Sequence, residues 1–74
     1  MTMNGNMTFK ELRIKRGYRT QEEFATECGV SRPTIANIEQ DPKKLYSVKL
    51  GTIIVICEKL RIRPDQLLKM AKGE

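Results

Sequence analysis

Thr20–Glu39, TQEEFATECGVSRPTIANIE, carries two short helical patterns joined by a turn centred on Gly29. Thr20 stands three residues before Glu23, so its hydroxyl is placed to accept from the Glu23 amide while the Glu23 carboxylate reaches back to the Thr20 amide, the reciprocal arrangement of a capping box. A helix starts there, and its apolar positions Phe24, Ala25 and Cys28 follow helical spacing. Gly29 comes directly after, where a helix end calls for a left-handed residue. Val30 then fills the angle between the helices and Ser31 is a good N-cap for the next one. Ile35 and Ile38 form the buried side of that second helix, and its other side presents Arg32, Pro33, Ala36 and Asn37.

Two helices joined by so tight a turn form a helix-turn-helix, whose second helix lies in the major groove of DNA with its amino end at the base edges. Gln21, Ala25, Gly29, Val30, Ser31, Ile35 and Glu39 stand where the phage repressor and Cro (XRE) family places its usual residues. The chain resembles a small member of that family from about Phe9 to Leu68. The resemblance implies an all-α, compact five-helix fold like that of lambda repressor, with the helix-turn-helix at helices 2 and 3. It implies a bacterial or phage-type transcriptional regulator, a repressor by expectation, that binds operator DNA. Three departures stand out: a Gly17–Gln21 link one residue longer than usual, Lys49 at the place of a serine or threonine cap, and Pro33 where a polar base reader is common.

With 74 residues the chain has room for one small core and not for two. A formal charge of +5 favours a polyanionic partner, yet basicity this modest supports the motif without making the case. Two cysteines, Cys28 and Cys57, occur without any histidine, which removes the usual zinc patterns, so neither metal nor cofactor is expected. Both lie on apolar faces, and buried reduced thiols are the plainer reading beside a disulfide. No stretch approaches the roughly 20 apolar residues needed to cross a bilayer, and no signal peptide is recognisable, so cytoplasmic residence is expected. An enzyme is not expected either: there is no glycine-rich phosphate loop and no nucleophile with a base at a recognisable spacing. Glu22, Glu23 and Glu27 suit a solvated helix start and face.

Residues 1–7, MTMNGNM, read as a disordered polar tail without lysine or arginine, a poor minor-groove arm, and Met7 is an alternative start. Residues 8–72 form the domain. Thr8 caps a first helix to about Arg16 with Glu11 completing a capping box, Phe9 and Leu12 turn inward, and Gly17 ends it. Tyr18 tucks its ring into the core and leaves Arg19 outside. DPKKLYSVK, residues 41–49, reads as a loop. LGTIIVICEKL, residues 50–60, is apolar and contains four consecutive β-branched residues, Ile53 to Ile56, that suit a strand equally well. The family resemblance decides for a helix, with Ser47 as its cap and a start near Val48. Gly51 in its first turns costs about 0.5–1 kcal/mol relative to alanine. A last helix runs from Pro64, at the favoured first position, to about Ala71.

Positions on the recognition helix suggest roles. The planar fork of Arg32 matches guanine O6 and N7, a pairing that discriminates by about 1–3 kcal/mol. Asn37 suits adenine or a phosphate, and Thr34 a phosphate or a thymine methyl. Pro33 has two readings, a cheap helix-start residue or an apolar contact to a thymine methyl. Gln21 resembles the family glutamine that binds a phosphate and helps orient the recognition helix, and Arg19, Lys43 and Lys44 suit backbone neutralisation at the flanks. The resemblance also implies that Arg13 and Glu39 pair beneath the recognition helix. The expected partner is double-stranded DNA, bound by a homodimer; Ile62, Leu67, Leu68 and Met70 on the last two helices are candidates for its contact, and closing the core is the more ordinary reading of the same residues. Two rivals remain: a controller or antitoxin-type autoregulator that also engages a protein partner, and a protein-interaction module whose helix-turn-helix no longer reads DNA.

Overall fold

A computed structural model describes residues 7–73. Within them the chain is all-helical: α1 (Phe9–Lys15), α2 (Gln21–Cys28), α3 (Arg32–Gln40), a 3-10 helix (Pro42–Ser47), α4 (Leu50–Leu60) and α5 (Pro64–Lys72). The compact all-α reading holds, with one added element. Of the expected tail, residues 1–6 lie outside the described residues, and Met7 packs half-buried against the core.

Local chemistry accounts for most helix ends. Thr8 Oγ1 accepts from the Glu11 amide at 3.0 Å and the Glu11 carboxylate accepts from the Thr8 amide at 2.9 Å, a complete capping box that starts α1. At α2 the box is only half made. Thr20 Oγ1 accepts from the Glu23 amide at 3.0 Å, but the Glu23 carboxylate accepts from Arg19 N–H at 2.7 Å and not from Thr20, so it ties down the longer link before the helix. Gly29 ends α2 at φ +74°, a conformation that costs an L side chain energy and glycine nothing. Ser31 occupies the N-cap of α3, yet its hydroxyl pairs with the Thr34 hydroxyl at 2.9 Å and makes no cap bond to an amide.

The stretch expected as a loop is a 3-10 helix. Asp41 caps it by accepting from the Lys43 amide at 3.2 Å, Pro42 supplies a preset φ, and Leu45 is driven into the core at 2% exposure. Because that turn runs to Ser47, α4 does not begin near Val48 under a Ser47 cap. It begins at Leu50, with Lys49 at the N-cap and no side-chain cap bond. Ile53, Ile56, Cys57 and Leu60 are its buried residues, at i, i+3, i+4 and i+7. Four β-branched residues cost a helix roughly 2 kcal/mol in propensity, whereas each large apolar side chain buried contributes about 1.5–3 kcal/mol. Packing therefore overrides the strand preference.

α4 ends at Arg61, which takes the left-handed conformation at φ +58° without a glycine. The Leu60 carbonyl accepts from Arg16 Nε at 2.6 Å, so the end of α1 closes the end of α4 and sets a positive charge at its negative pole. On α5, Gln66 Oε1 accepts from the Arg63 amide at 2.8 Å beside Pro64.

Phe24, Ile35, Ile38, Leu45, Ile56, Leu60 and Leu67 are fully buried and join every element except α1, which adds Phe9 and Leu12. Phe24 sits between two rings, edge-on to Phe9 at 5.8 Å and to Tyr18 at 4.9 Å between centroids, offset geometries that aromatic pairs favour. α5 and α3 both pack on the 3-10 helix, and α4 packs on α2 and α5. Cys28 and Cys57 are free and buried. Burial pushes the Cys28 thiol up from 9.0 to about 11, with Lys59 opposing and Glu27 reinforcing the rise, and burial raises Cys57 as well. Neither thiol is activated. No helix of the described residues is long and apolar enough to cross a membrane.

Candidate nucleic-acid interface

α2 and α3 pack directly on each other and hold a ladder of polar side chains between the inside of the domain and its surface. At the inner end Arg13, from α1, donates from Nε to Glu39 Oε2 at 2.6 Å and from Nη1 to the Tyr18 carbonyl at 2.7 Å. The two side chains are 3% and 7% exposed. An ion pair taken this far out of water holds together only if its remaining donors and acceptors are met. The second carboxylate oxygen, Glu39 Oε1, accepts from Gln21 Nε2 at 2.9 Å. Gln21 Oε1 in turn accepts from Arg32 Nη1 at 3.0 Å. Among the described residues no buried side-chain nitrogen or oxygen is left without a partner.

The consequence for the surface is geometric. Gln21 and Arg32 are the first residues of α2 and α3, so the ladder delivers a guanidinium to the amino end of α3. Arg32, Pro33 and Asn37 are exposed there, with Ala36 half-buried between them. Thr34 is half-buried and engaged with Ser31, which turns it from a free donor into part of the helix start. Pro33 falls within the first turn of α3, where its missing N–H has no helical partner to lose.

The flanking cations are placed by different devices. Arg19 lies exposed just before α2, its backbone held by Glu23. Lys43 and Lys44 lie exposed on the 3-10 helix that follows α3, and that helix, which spacing alone did not reveal, is what carries them. Asp41, the residue capping that turn, is the local signal for it. The links from Gln21 to Glu39 and to Arg32 span 18 and 11 residues. No local pattern announces them.

The residues expected at a dimer contact separate. Leu67 is fully buried in the core, Ile62 and Met70 are packed half-buried against it, and Leu68 is exposed. Leu67 thus closes the core of this chain and is withdrawn from any surface role. Leu50 and Ile54 are instead exposed, at 74% and 46%, one helical turn apart on α4.

A family model described as helix-turn-helix matches residues 9–67, most of the chain. No curated protein and no solved structure matches it.

Proposed function

The chain belongs to the helix-turn-helix family of the phage-repressor and Cro (XRE) type and is a DNA-binding regulator; from that premise we propose that it is a sequence-specific repressor, acting in the cytoplasm by occupying operator DNA. α3 enters the major groove. Arg32 reads guanine through O6 and N7, Asn37 reads adenine or holds a phosphate, Pro33 lies against a thymine methyl, and Thr34 borders the same face. Arg19, Gln21, Lys43 and Lys44 contact the phosphate backbone and set the register of the domain on the duplex.

The observation that carries this reading is the Arg32 guanidinium held at the amino end of α3 through Gln21. A surface kept for solvation alone has no use for an arginine tied, through one intervening side chain, to a buried ion pair. The test is to titrate the protein against a pool of random-sequence duplexes at two salt concentrations. Enrichment of one motif at both is expected, and binding that selects no sequence and vanishes with salt overturns the reading.

A homodimer on a near-palindrome belongs to the same proposal, with half-sites about 34 Å apart. Sedimentation with and without an enriched duplex tests it, two chains per palindrome being expected. The exposed pair Leu50 and Ile54, outside α3, favours a second reading in which the regulator also engages a protein partner. The third possibility, a module that no longer reads DNA, is disfavoured by the exposed cations Arg19, Arg32, Lys43 and Lys44.

A further inference from the structure

We propose that Glu23 is a positioning residue for binding the DNA backbone: its carboxylate occupies the Arg19 backbone N–H, which fixes where Arg19 leaves the chain and keeps the Arg19 guanidinium free for a phosphate. This rests on the reading of Arg19 as a phosphate contact, and gives the longer link before α2 a purpose in binding.

Two like sequences behave differently in this chain. Thr8 with Glu11 and Thr20 with Glu23 are the same Thr-x-x-Glu pattern. At α1 the carboxylate closes on the amide of its own cap, Thr8, at 2.9 Å. At α2 it reaches one residue further upstream, to the Arg19 amide at 2.7 Å, while Thr20 Oγ1 still accepts from the Glu23 amide. The residue before Arg19 is pinned as well. Tyr18 N–H donates to the Arg13 carbonyl at 3.1 Å, the Tyr18 carbonyl accepts from Arg13 Nη1 at 2.7 Å, and the Tyr18 ring packs edge-on against Phe24. Arg19 is therefore an exposed residue on a backbone held on both sides. It stands two positions before Gln21, whose side chain touches the first residue of α3.

Glu23 lies four residues after Arg19, a spacing at which the carboxylate could neutralise the guanidinium instead. It does not. Arg13, Arg16, Arg32 and Arg63 each spend guanidinium N–H groups within the chain, whereas among the described residues the guanidinium of Arg19 has no hydrogen-bond or ion-pair partner. An exposed ion pair gains little in water. A backbone amide donating to an ionised carboxylate makes a bond of the stronger kind, and the first turn of a helix favours the negative charge. The acid thus stays on the main chain and the base stays available. A backbone already fixed leaves Arg19 less freedom to lose when a phosphate engages it, a saving worth about 2- to 10-fold in affinity. The gain is blind to sequence, because phosphate contacts position the protein and carry no base information.

The experiment uses the full chain on two duplexes of unrelated sequence over a series of salt concentrations. Glu23→Gln keeps a side-chain oxygen that accepts from the Arg19 amide, and Glu23→Ala does not. Both remove the same negative charge, so the difference between them isolates the hydrogen bond from the repulsion between Glu23 and DNA. Thr20 caps the backbone amide of residue 23 in either variant, so the start of α2 is kept. Glu23→Ala is expected to bind both duplexes about 2- to 10-fold more weakly than Glu23→Gln, with a flatter dependence of log affinity on log salt. That gap is expected to close when both changes are made in an Arg19→Ala background. In the free protein the Arg19 amide is expected to exchange its hydrogen slowly in the parent and in Glu23→Gln, and rapidly in Glu23→Ala. Equal affinities for the two variants, or a gap that survives in Arg19→Ala, overturn the positioning role and leave the phosphate contact of Arg19 standing. An Arg19 amide that exchanges as fast in the parent as in Glu23→Ala overturns it equally. If Arg19→Ala itself leaves the salt slope unchanged, the phosphate contact falls and the role of Glu23 with it.

Discussion

Arg13 and Glu39, 26 residues apart, meet Nε to Oε2 at 2.6 Å with almost no solvent access to either side chain. The pair joins α1 to the last turn of α3 and fixes how the two helices sit against each other. Removing one partner strands a charge in a place with little water. Glu39→Ala or Arg13→Ala is therefore expected to lower stability by about 3–5 kcal/mol, a large share of the roughly 4–11 kcal/mol that a domain of this size holds. Replacing both with apolar residues of similar volume, Arg13→Met with Glu39→Leu, should lose less than the sum of Arg13→Met and Glu39→Leu made singly. Urea denaturation of the four proteins measures this, and strictly additive losses would show that the pair is not coupled.

Arg32→Ala is expected to relax the preference at one base pair by about 1–3 kcal/mol while leaving preferences elsewhere in place. Competition binding on single-position variants of the enriched duplex checks it. A uniform loss at every position would assign Arg32 to the phosphates instead.

Lys43→Ala and Lys44→Ala, and likewise Arg19→Ala, should weaken binding evenly across sequences. Each true phosphate contact removed should flatten the slope of log affinity against log salt by about one unit. An unchanged slope marks the residue as a solvated charge. Since these side chains are exposed, melting temperatures should barely move.

Leu45→Ala is expected to cost about 2–5 kcal/mol, the range for a large apolar side chain deleted from a packed core, because Leu45 is 2% exposed where α3 and α5 meet the 3-10 helix. Its neighbour Tyr46 is 60% exposed, so Tyr46→Ala should stay within about 0.5 kcal/mol. Chemical denaturation of the two variants side by side distinguishes a built element from a loop, which would treat them alike.

The Cys28 thiol holds its proton to about pH 11 in the folded chain, against an ordinary value of 9.0, chiefly because burial disfavours the thiolate. A pKa raised on folding means that the native state binds more protons between those values, so its contribution is full below about pH 9 and is lost as pH rises toward 11. Stability in urea should therefore drop between pH 9 and pH 11, and drop less in Cys28→Ala. The parent thiols should also react with a disulfide reagent only at the rate of unfolding. Rapid labelling of the folded protein would contradict their burial.

The helices and their ends were legible where the cause lies within four residues. Thr8 with Glu11, Gly29, Pro64 and the Ile35–Ile38 spacing each act through neighbours along the chain, and each marks its element where it was read. Local reading went astray where a second partner competed. Glu23 had two amides within reach and took that of Arg19; Ser31 had an amide and a hydroxyl and took Thr34. DPKKLYSVK looked like a loop because its one core residue, Leu45, gives no periodicity. Arg61 in the left-handed conformation carries no signal at all, since only the packing of α5 after it calls for such a turn.

Taken alone, the order of residues marks the two helices around Gly29 and the outward side of the second, because burial of apolar side chains at fixed spacing and the chemistry of helix ends act locally; the helical state of residues 50–60 came from the family resemblance and not from spacing. The tertiary structure decides what those exposed residues are connected to. Glu39 has two oxygens, and only the angle at which α1, α2 and α3 cross determines that one goes to Arg13 and the other to Gln21. From that allocation the orientation of one amide follows, and with it the place of Arg32. Hydrogen bonds have direction, and direction across 11 to 26 residues is set by packing.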